Sequence, residues 1–256
     1  MQIKTLAATN FKNIADARLE FSSKANCFLG DNGMGKSNLL DAVYYLSFCK
    51  SFSGLADSSV VRLGEEFMTL RGTYERRGAD EEVTIGLQPG RRKSVRRGGK
   101  EYERLSAHIG VFPLVMVSPS DQDLVSGSGE ERRRFMDQVI SQADAVYLDH
   151  LIRYDRALTQ RNKMLRDRVV DHHLYEAVEL ALARSASYIT RARSKWVGEL
   201  TEIFRPIYAA IAADGETPAL ELKGHLAADA EALPELLDQC RRHDEAVGHT
   251  SVGPHR

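Results

Sequence analysis

The sequence predicts an α/β fold in two parts, β-rich at the start and mostly helical in the second half. Three observations predict it. Through much of the first 118 positions apolar and polar residues alternate, the pattern of half-buried strands. From about residue 130 apolar residues recur at steps of three and four, the pattern of amphipathic helices. Between the first strands and the first helix stands the glycine-rich octet Gly30-Asp31-Asn32-Gly33-Met34-Gly35-Lys36-Ser37.

The octet fits G-x-x-x-x-G-K-[ST], the phosphate-binding loop. Glycines at 30, 33 and 35 let the backbone curl so that successive N–H groups point inward at an anion. The helix that follows adds the field of its positive end. Lys36 is placed to reach the β- and γ-phosphates of a nucleotide, and the Ser37 hydroxyl to complete the shell of a Mg²⁺ ion. The candidate nucleotide-binding set is therefore Gly30 through Ser37 with Asn38 behind it. The flanks agree: Ala25–Leu29 reads as a short apolar strand entering the loop, and Leu39, Val43 and Leu46 repeat at helical spacing after it.

Composition narrows the alternatives. At 256 residues the chain can bury a sizeable core. A formal net charge of −1 makes it no uniformly basic protein, so a nucleic-acid partner needs a local patch. Cys27, Cys49 and Cys240 are far apart and form no C-x-x-C pair, which suggests reduced thiols and a cytoplasmic location. No apolar run approaches the ~18 residues of a membrane span, and no signal peptide is read at the N-terminus. His172-His173 reads as a solvated helix start rather than a ligand pair.

In chain order, residues 2–9 and 15–21 read as strands joined by the turn Asn10-Phe11-Lys12-Asn13. Thr69–Tyr74, Glu82–Leu87, Lys93–Arg97 and Leu114–Val117 read as further strands of an antiparallel, meandering layer, with turns at Gly78-Ala79-Asp80, Pro89-Gly90 and Gly98-Gly99. Within this layer Arg91, Arg92, Lys93, Arg96 and Arg97 cluster with no acid between 90 and 100. Such a run is either a solvated hairpin tip or a contact to the phosphates of DNA.

Arg132-Arg133-Arg134 sits in a helix with Phe135, Met136, Val139 and Ile140 on its apolar side. Tyr147 to Leu165 gives a long second helix. Tyr175, Leu182, Ile189, Trp196 and Ile203 recur every seven residues along a third, so the last two form a hairpin with a coiled-coil seam. Pro206 kinks or ends that helix. A strand is expected at 219–226 and a short helix through Leu233, Leu236, Leu237 and Cys240.

A P-loop ATPase also needs an apolar strand ending in an acid, to hold Mg²⁺ and polarise water. Val111–Val117 runs into Ser118-Pro119 with no acid at its tip, and Leu236-Leu237-Asp238 follows a helical pattern. Val125-Ser126-Gly127-Ser128-Gly129-Glu130 looks like a Ser/Gly signature of ABC-type proteins, but it reads better as a loop that caps a helix.

Taken together, Asn10-Phe11-Lys12-Asn13, the octet with Asn38-Leu39-Leu40-Asp41-Ala42, and Ser118-Pro119-Ser120-Asp121 resemble the RecF family of ABC/SMC/Rad50-like P-loop ATPases. Leu124-Val125-Ser126-Gly127, Arg132 to Asp137, Gln160-Arg161-Asn162 and Gly253-Pro254-His255-Arg256 complete the likeness. It implies an ATPase head in which residues 1–118 form an ATP-binding lobe I and 119–218 an inserted helical lobe II. Residues 219–256 would return to lobe I and leave it incomplete, so the chain reads as C-terminally truncated. The resemblance also implies a DNA-binding recombination mediator acting at single-strand gaps and single/double-strand junctions, in DNA repair and the SOS response. It implies partners akin to RecO and RecR and ATP-dependent homodimerisation. By motif position Lys12 would reach the nucleotide phosphates, and Gln122 would help sense Mg²⁺. Where family members often carry an Arg, this chain has Ser51-Phe52-Ser53-Gly54. A P-loop kinase or a non-hydrolysing interaction module are the competing readings.

Overall fold

A computed structural model describes every residue except Ala213, Asp214, Glu216, Ala227 and Ala228. Three of these fall just before the expected lobe boundary at 218 and so lie outside the described residues. The chain divides into two compact units, Met1–Val117 and Ser118–Arg256.

In the first unit, strands β1 (Gln2–Phe11), β2 (Ile14–Glu20), β3 (Met68–Arg76), β4 (Ala79–Leu87), β5 (Ser94–Arg97) and β6 (Lys100–Glu101) form one sheet. Its order is β2-β1-β3-β4-β5-β6 and every pairing is antiparallel. Period two sets the faces: Leu6, Ala8, Leu70, Val83, Ile85 and Val95 point inward, and Arg71, Thr84 and Arg96 lie in register on the other side. Helix α1 (Lys36–Phe48) lays Ala42, Tyr45 and Leu46 on the inner face. Gly72 is needed there, because a Cβ would stand 2.7 Å from a methyl of Leu46. The turn between β3 and β4 is tighter than expected: Arg77 and Gly78, at φ 54° and 78°, make it, while Ala79 and Asp80 already belong to β4.

Two expected strands of this unit are absent. Ala25–Leu29 has no ladder partner among the described residues; Asn26 instead closes back on Ser22, accepting from its N–H and donating to its carbonyl. Leu114–Val117 is likewise irregular, with Val115 and Val117 exposed. Its apolar anchor comes earlier, at Phe112, which stacks on Tyr74, and Pro113 then lacks the N–H a ladder needs. Apolar pattern alone does not make a strand; a neighbouring backbone does.

After the short helix α2 (Asp57–Val60) in the first unit, the remaining α-helices of the described residues are in the second. They are α3 (Asp123–Ser126), α4 (Gly129–Ala143), α5 (Ala145–Arg166), α6 (His172–Ile211) and α7 (Leu233–Val247). Ser128 caps α4 by accepting from the Glu130 N–H, and Asp144 and Asp171 cap α5 and α6 in the same way. Val125 and Ser126 thus end α3, and Ser128-Gly129-Glu130 is the capped start of α4.

Helices α5 and α6 form the predicted hairpin, closed through Tyr147, Tyr154, Tyr175, Leu182 and Ile189. The seam does not run the full length of α6. That helix has 40 residues against 22 in α5, so about 27 Å of it has no antiparallel partner from α5. Ile203, expected to extend the seam, is accordingly exposed, as is Ile207 four residues on. Pro206 lies inside α6, which continues to Ile211 rather than ending there. The strand expected at 219–226 is irregular backbone; Leu222 and Leu226 pack among the helices instead of joining a sheet. Residues 219–256, read from sequence as a return to the first lobe, lie within the helical unit for the same reason: Leu226, Leu233, Leu237 and Val252 are part of its core.

Candidate functional site

The loop Gly30–Ser37 closes directly onto α1. Gly30, Gly33 and Gly35 have φ of 151°, 82° and 96°, a region L side chains rarely occupy. Gly35 caps the helix with a left-handed backbone, and among the described residues no side chain caps it and no acid stands in its first turn. The N–H groups there and the positive helix end are left for an anion. Lys36 reaches back across the loop, its Nζ donating to the carbonyls of Gly30 and Asp31 at 2.7 Å each. The result is an open cavity of about 210 Å³ lined by Asn32, Gly33, Gly35, Lys36, Ser37 and Asn38. Met34 projects outward from the loop.

Beside the cavity, Asn13 donates to the Gly33 carbonyl at 3.0 Å and accepts from the Asn38 amide at 2.7 Å. Its neighbour Lys12 pairs with Asp41 at 2.6 Å and donates to Ser53 Oγ at 3.1 Å. Asp41 also accepts from Ser51 Oγ at 2.7 Å and the Phe52 N–H at 2.6 Å. So the Ser51–Gly54 segment serves as part of a polar cluster around Lys12. Sequence reading missed Asn13 and Asp41 as site residues. The available signal was Asp41 itself, a carboxylate one turn before Tyr45 on the buried side of α1, where a charge needs a partner.

The other sequence-predicted residues are placed differently. Gln122 ends the short 3₁₀ turn Pro119–Gln122 in the second unit and is exposed. Within the basic run, Lys93 is buried: its Nζ lies 2.8 Å from Asp57 and 4.7 Å from the Tyr45 ring centroid, and also donates to the Cys49 carbonyl. That removes Lys93 from the surface expected to meet DNA phosphates. Burial next to it pushes the Cys49 thiol up to about 12. Arg97 pairs with Glu81 at 2.7 Å, Arg96 faces Glu101 at 3.6 Å, and Arg92 donates to the Glu103 carbonyl. Arg91 is exposed. Acids missing from positions 90–100 are supplied to Arg97, Arg96 and Lys93 by β4, β6 and α2.

Several motif residues of the second unit meet in its interior. Arg161, fully buried, donates to Asp244 at 2.7 Å, Glu179 at 3.0 Å and Thr250 at 2.9 Å. Asn162 accepts from the N–H and hydroxyl of Thr250. Arg193 clamps Asp137 and donates to the Pro254 carbonyl at 2.6 Å, while Tyr154 and His255 Nδ1 are 2.7 Å apart. Burial, with Arg256 and Arg133 nearby, lowers the His255 pKa to about 4. These residues anchor the Thr250–Arg256 segment. Among the described residues, no helix is long and apolar enough to cross a membrane.

Residues 1–93 match the family model of an AAA ATPase domain. The chain is 45% identical over 258 residues to the DNA replication and repair protein RecF of Phocaeicola vulgatus, covering 100% of this chain and 69% of that relative. It is 45% identical over 257 residues to RecF of Porphyromonas gingivalis strain W83, covering 100% and 70%. Among solved structures, the recombination mediator protein RecF-ATP of the RecFOR pathway superposes with a TM-score of 0.89 at 25% identity, over 100% of this chain and 71% of that one. The RecF-ATPrS structure gives 0.92 at 25% identity, over 99% and 71%. An Smc head domain from Pyrococcus furiosus, 17% identical with a TM-score of 0.50 over 90% and 69%, shares the fold. With a glycine loop built for phosphate and near-complete alignment to these proteins, the chain belongs to the RecF family of DNA replication and repair proteins.

Proposed function

We propose that this chain is the nucleotide-binding part of a DNA-repair ATPase that holds ATP on the Gly30–Asn38 loop. One observation carries the reading: Lys36 lies across a glycine loop whose helix N-terminus is free of competing acids. The loop N–H groups and Lys36 would hold the β- and γ-phosphates. Ser37 lines the cavity and offers one hydroxyl, so a Mg²⁺ ion would be held there largely by phosphate oxygens and water, neutralising phosphate charge. Lys12 as a phosphate contact belongs to this proposal.

Relatives named for DNA replication and repair support a DNA partner, and the RecF structures named as recombination mediators support a mediator role. In this reading the full-length protein dimerises with ATP, binds DNA at single-strand gaps and single/double-strand junctions, and works with RecO- and RecR-like partners to load the recombinase during repair and the SOS response. Exposed Arg91, Arg92 and Arg96 are the DNA-contact candidates left from the basic run. Hydrolysis would be weak or absent from these residues alone, because the residues lining the cavity include no carboxylate side chain.

The test is nucleotide titration of the chain and of Lys36→Ala. ATP binding that falls by about 30-fold or more in the variant, as loss of charge-assisted hydrogen bonds requires, supports the site. Equal binding by both would sink it. DNA binding whose salt slope drops by about one per arginine replaced would support the Arg91, Arg92 and Arg96 contacts; an unchanged slope would remove them.

A further inference from the structure

We propose that Asn13 is a positioning residue for the phosphate loop, bracing it from the β1–β2 turn. The inference rests on the nucleotide reading of that loop. Its amide touches the loop at three levels. Nδ2 donates to the Gly33 carbonyl in mid-loop, at 3.0 Å. Oδ1 stands 2.8 Å from where a Cβ on Gly35 would be, at the junction with α1. The same Oδ1 accepts from Asn38, in the first turn of the helix, at 2.7 Å. One planar group therefore fixes the spacing between the loop crest and the helix N-terminus, the two features that contact an anion.

Asn13 is exposed, so its hydrogen bonds compete with water and gain their effect from a fixed origin. The turn supplies one. Phe11 is fully buried against Tyr45, and the Lys12 N–H donates to the Val60 carbonyl at 2.8 Å. The Lys12 side chain is pinned by the buried Asp41, and Ile14 is in register with Phe11 across the hairpin. Lys12 itself sits at φ 53°, a conformation the turn imposes. A side chain on so constrained a backbone loses little freedom when it grips the loop. Asn13 donates from one side and accepts on the other, so Asp cannot replace it: a carboxylate would face the Gly33 carbonyl and add negative charge beside the phosphates.

The experiment measures ATP and ADP affinity for the chain and for Asn13→Ala, Asn13→Asp and Asn38→Ala, at two ionic strengths, with thermal unfolding in the absence of nucleotide. Asn13→Ala is expected to weaken ATP about fivefold. Asn13→Asp is expected to weaken it more, with a larger loss for ATP than for ADP and partial recovery at high salt. Asn38→Ala should do less, and the Asn13→Ala/Asn38→Ala pair should be non-additive. A purely structural role would shift unfolding while leaving the ATP-to-ADP ratio and its salt dependence unchanged, and that result overturns the proposal. So does ATP affinity within about twofold of the parent in Asn13→Ala. If the parent binds ATP and Lys36→Ala does not, while the Asn13 variants bind normally, this inference fails alone; if the parent binds no ATP, both readings fail.

Discussion

Lys36 and Arg161 are both cations surrounded by oxygen, yet they do opposite work. Lys36 is half-buried on the rim of an open cavity, and its two partners are carbonyls of its own loop. Arg161 has no exposed surface, and its partners are side chains of α6, α7 and the Thr250 segment. A carbonyl is a neutral acceptor that a phosphate oxygen can outcompete, because the phosphate adds full charge. A buried carboxylate such as Asp244 cannot let go without becoming an uncompensated charge in a dry site. Two basic motif residues from one sequence thus divide into one that faces an open cavity and an architectural one, and burial is what separates them.

The sharpest way to break this contrast is Arg161→Ala. It should destabilise the helical unit by about 3–5 kcal/mol, by leaving Asp244 unpaired, measured by urea unfolding. A loss under about 1 kcal/mol would mean that the cluster is not a stability element. Asp41→Ala tests the intermediate case, since the first unit also holds one nearly buried pair, Lys12 with Asp41. The expected cost is about 2–3 kcal/mol, less than at Arg161 because the Lys12 stem can carry its ammonium toward water.

His255 sharpens the comparison through pH. Its folded pKa lies near 4, below the ordinary value of 6.5, so the folded state resists protonation. The unfolded chain binds the proton first. The His255 contribution to stability should be flat above pH 6.5 and then fall as pH drops toward 4, by up to about 1.4 kcal/mol per unit. In His255→Asn that component of the slope should vanish, which acid-titration unfolding curves of the two proteins will show. The smallest effect is expected for Lys36→Ala, whose unfolding free energy should stay within about 0.5 kcal/mol of the parent even though nucleotide binding is lost.

Much of this was legible because local sequence carries local geometry. The octet Gly30–Ser37 specifies its own backbone: only glycine takes φ of 82° and 96° at low cost, and Lys36 follows at the one place from which its side chain spans the loop. Period two placed Leu6, Leu70 and Ile85 on the inner face of the sheet, and the seven-residue repeat of Tyr175, Leu182 and Ile189 placed the hairpin seam. What tertiary structure alone decided depends on neighbours distant in sequence. Ala25–Leu29 and 219–226 have strand-like composition and no ladder among the described residues, because pairing needs a second backbone that pattern cannot see. Lys93 reads as surface charge in an arginine-rich run, and only the approach of Asp57 and the Cys49 carbonyl shows that it is buried. Asp244 and Thr250 belong to no motif, and the motifs that hold Asn13 and Asp41 assign them no role. Their roles arise from side chains up to 89 positions apart meeting at hydrogen-bond distance, and a hydrogen bond is specified by that meeting rather than by the residue.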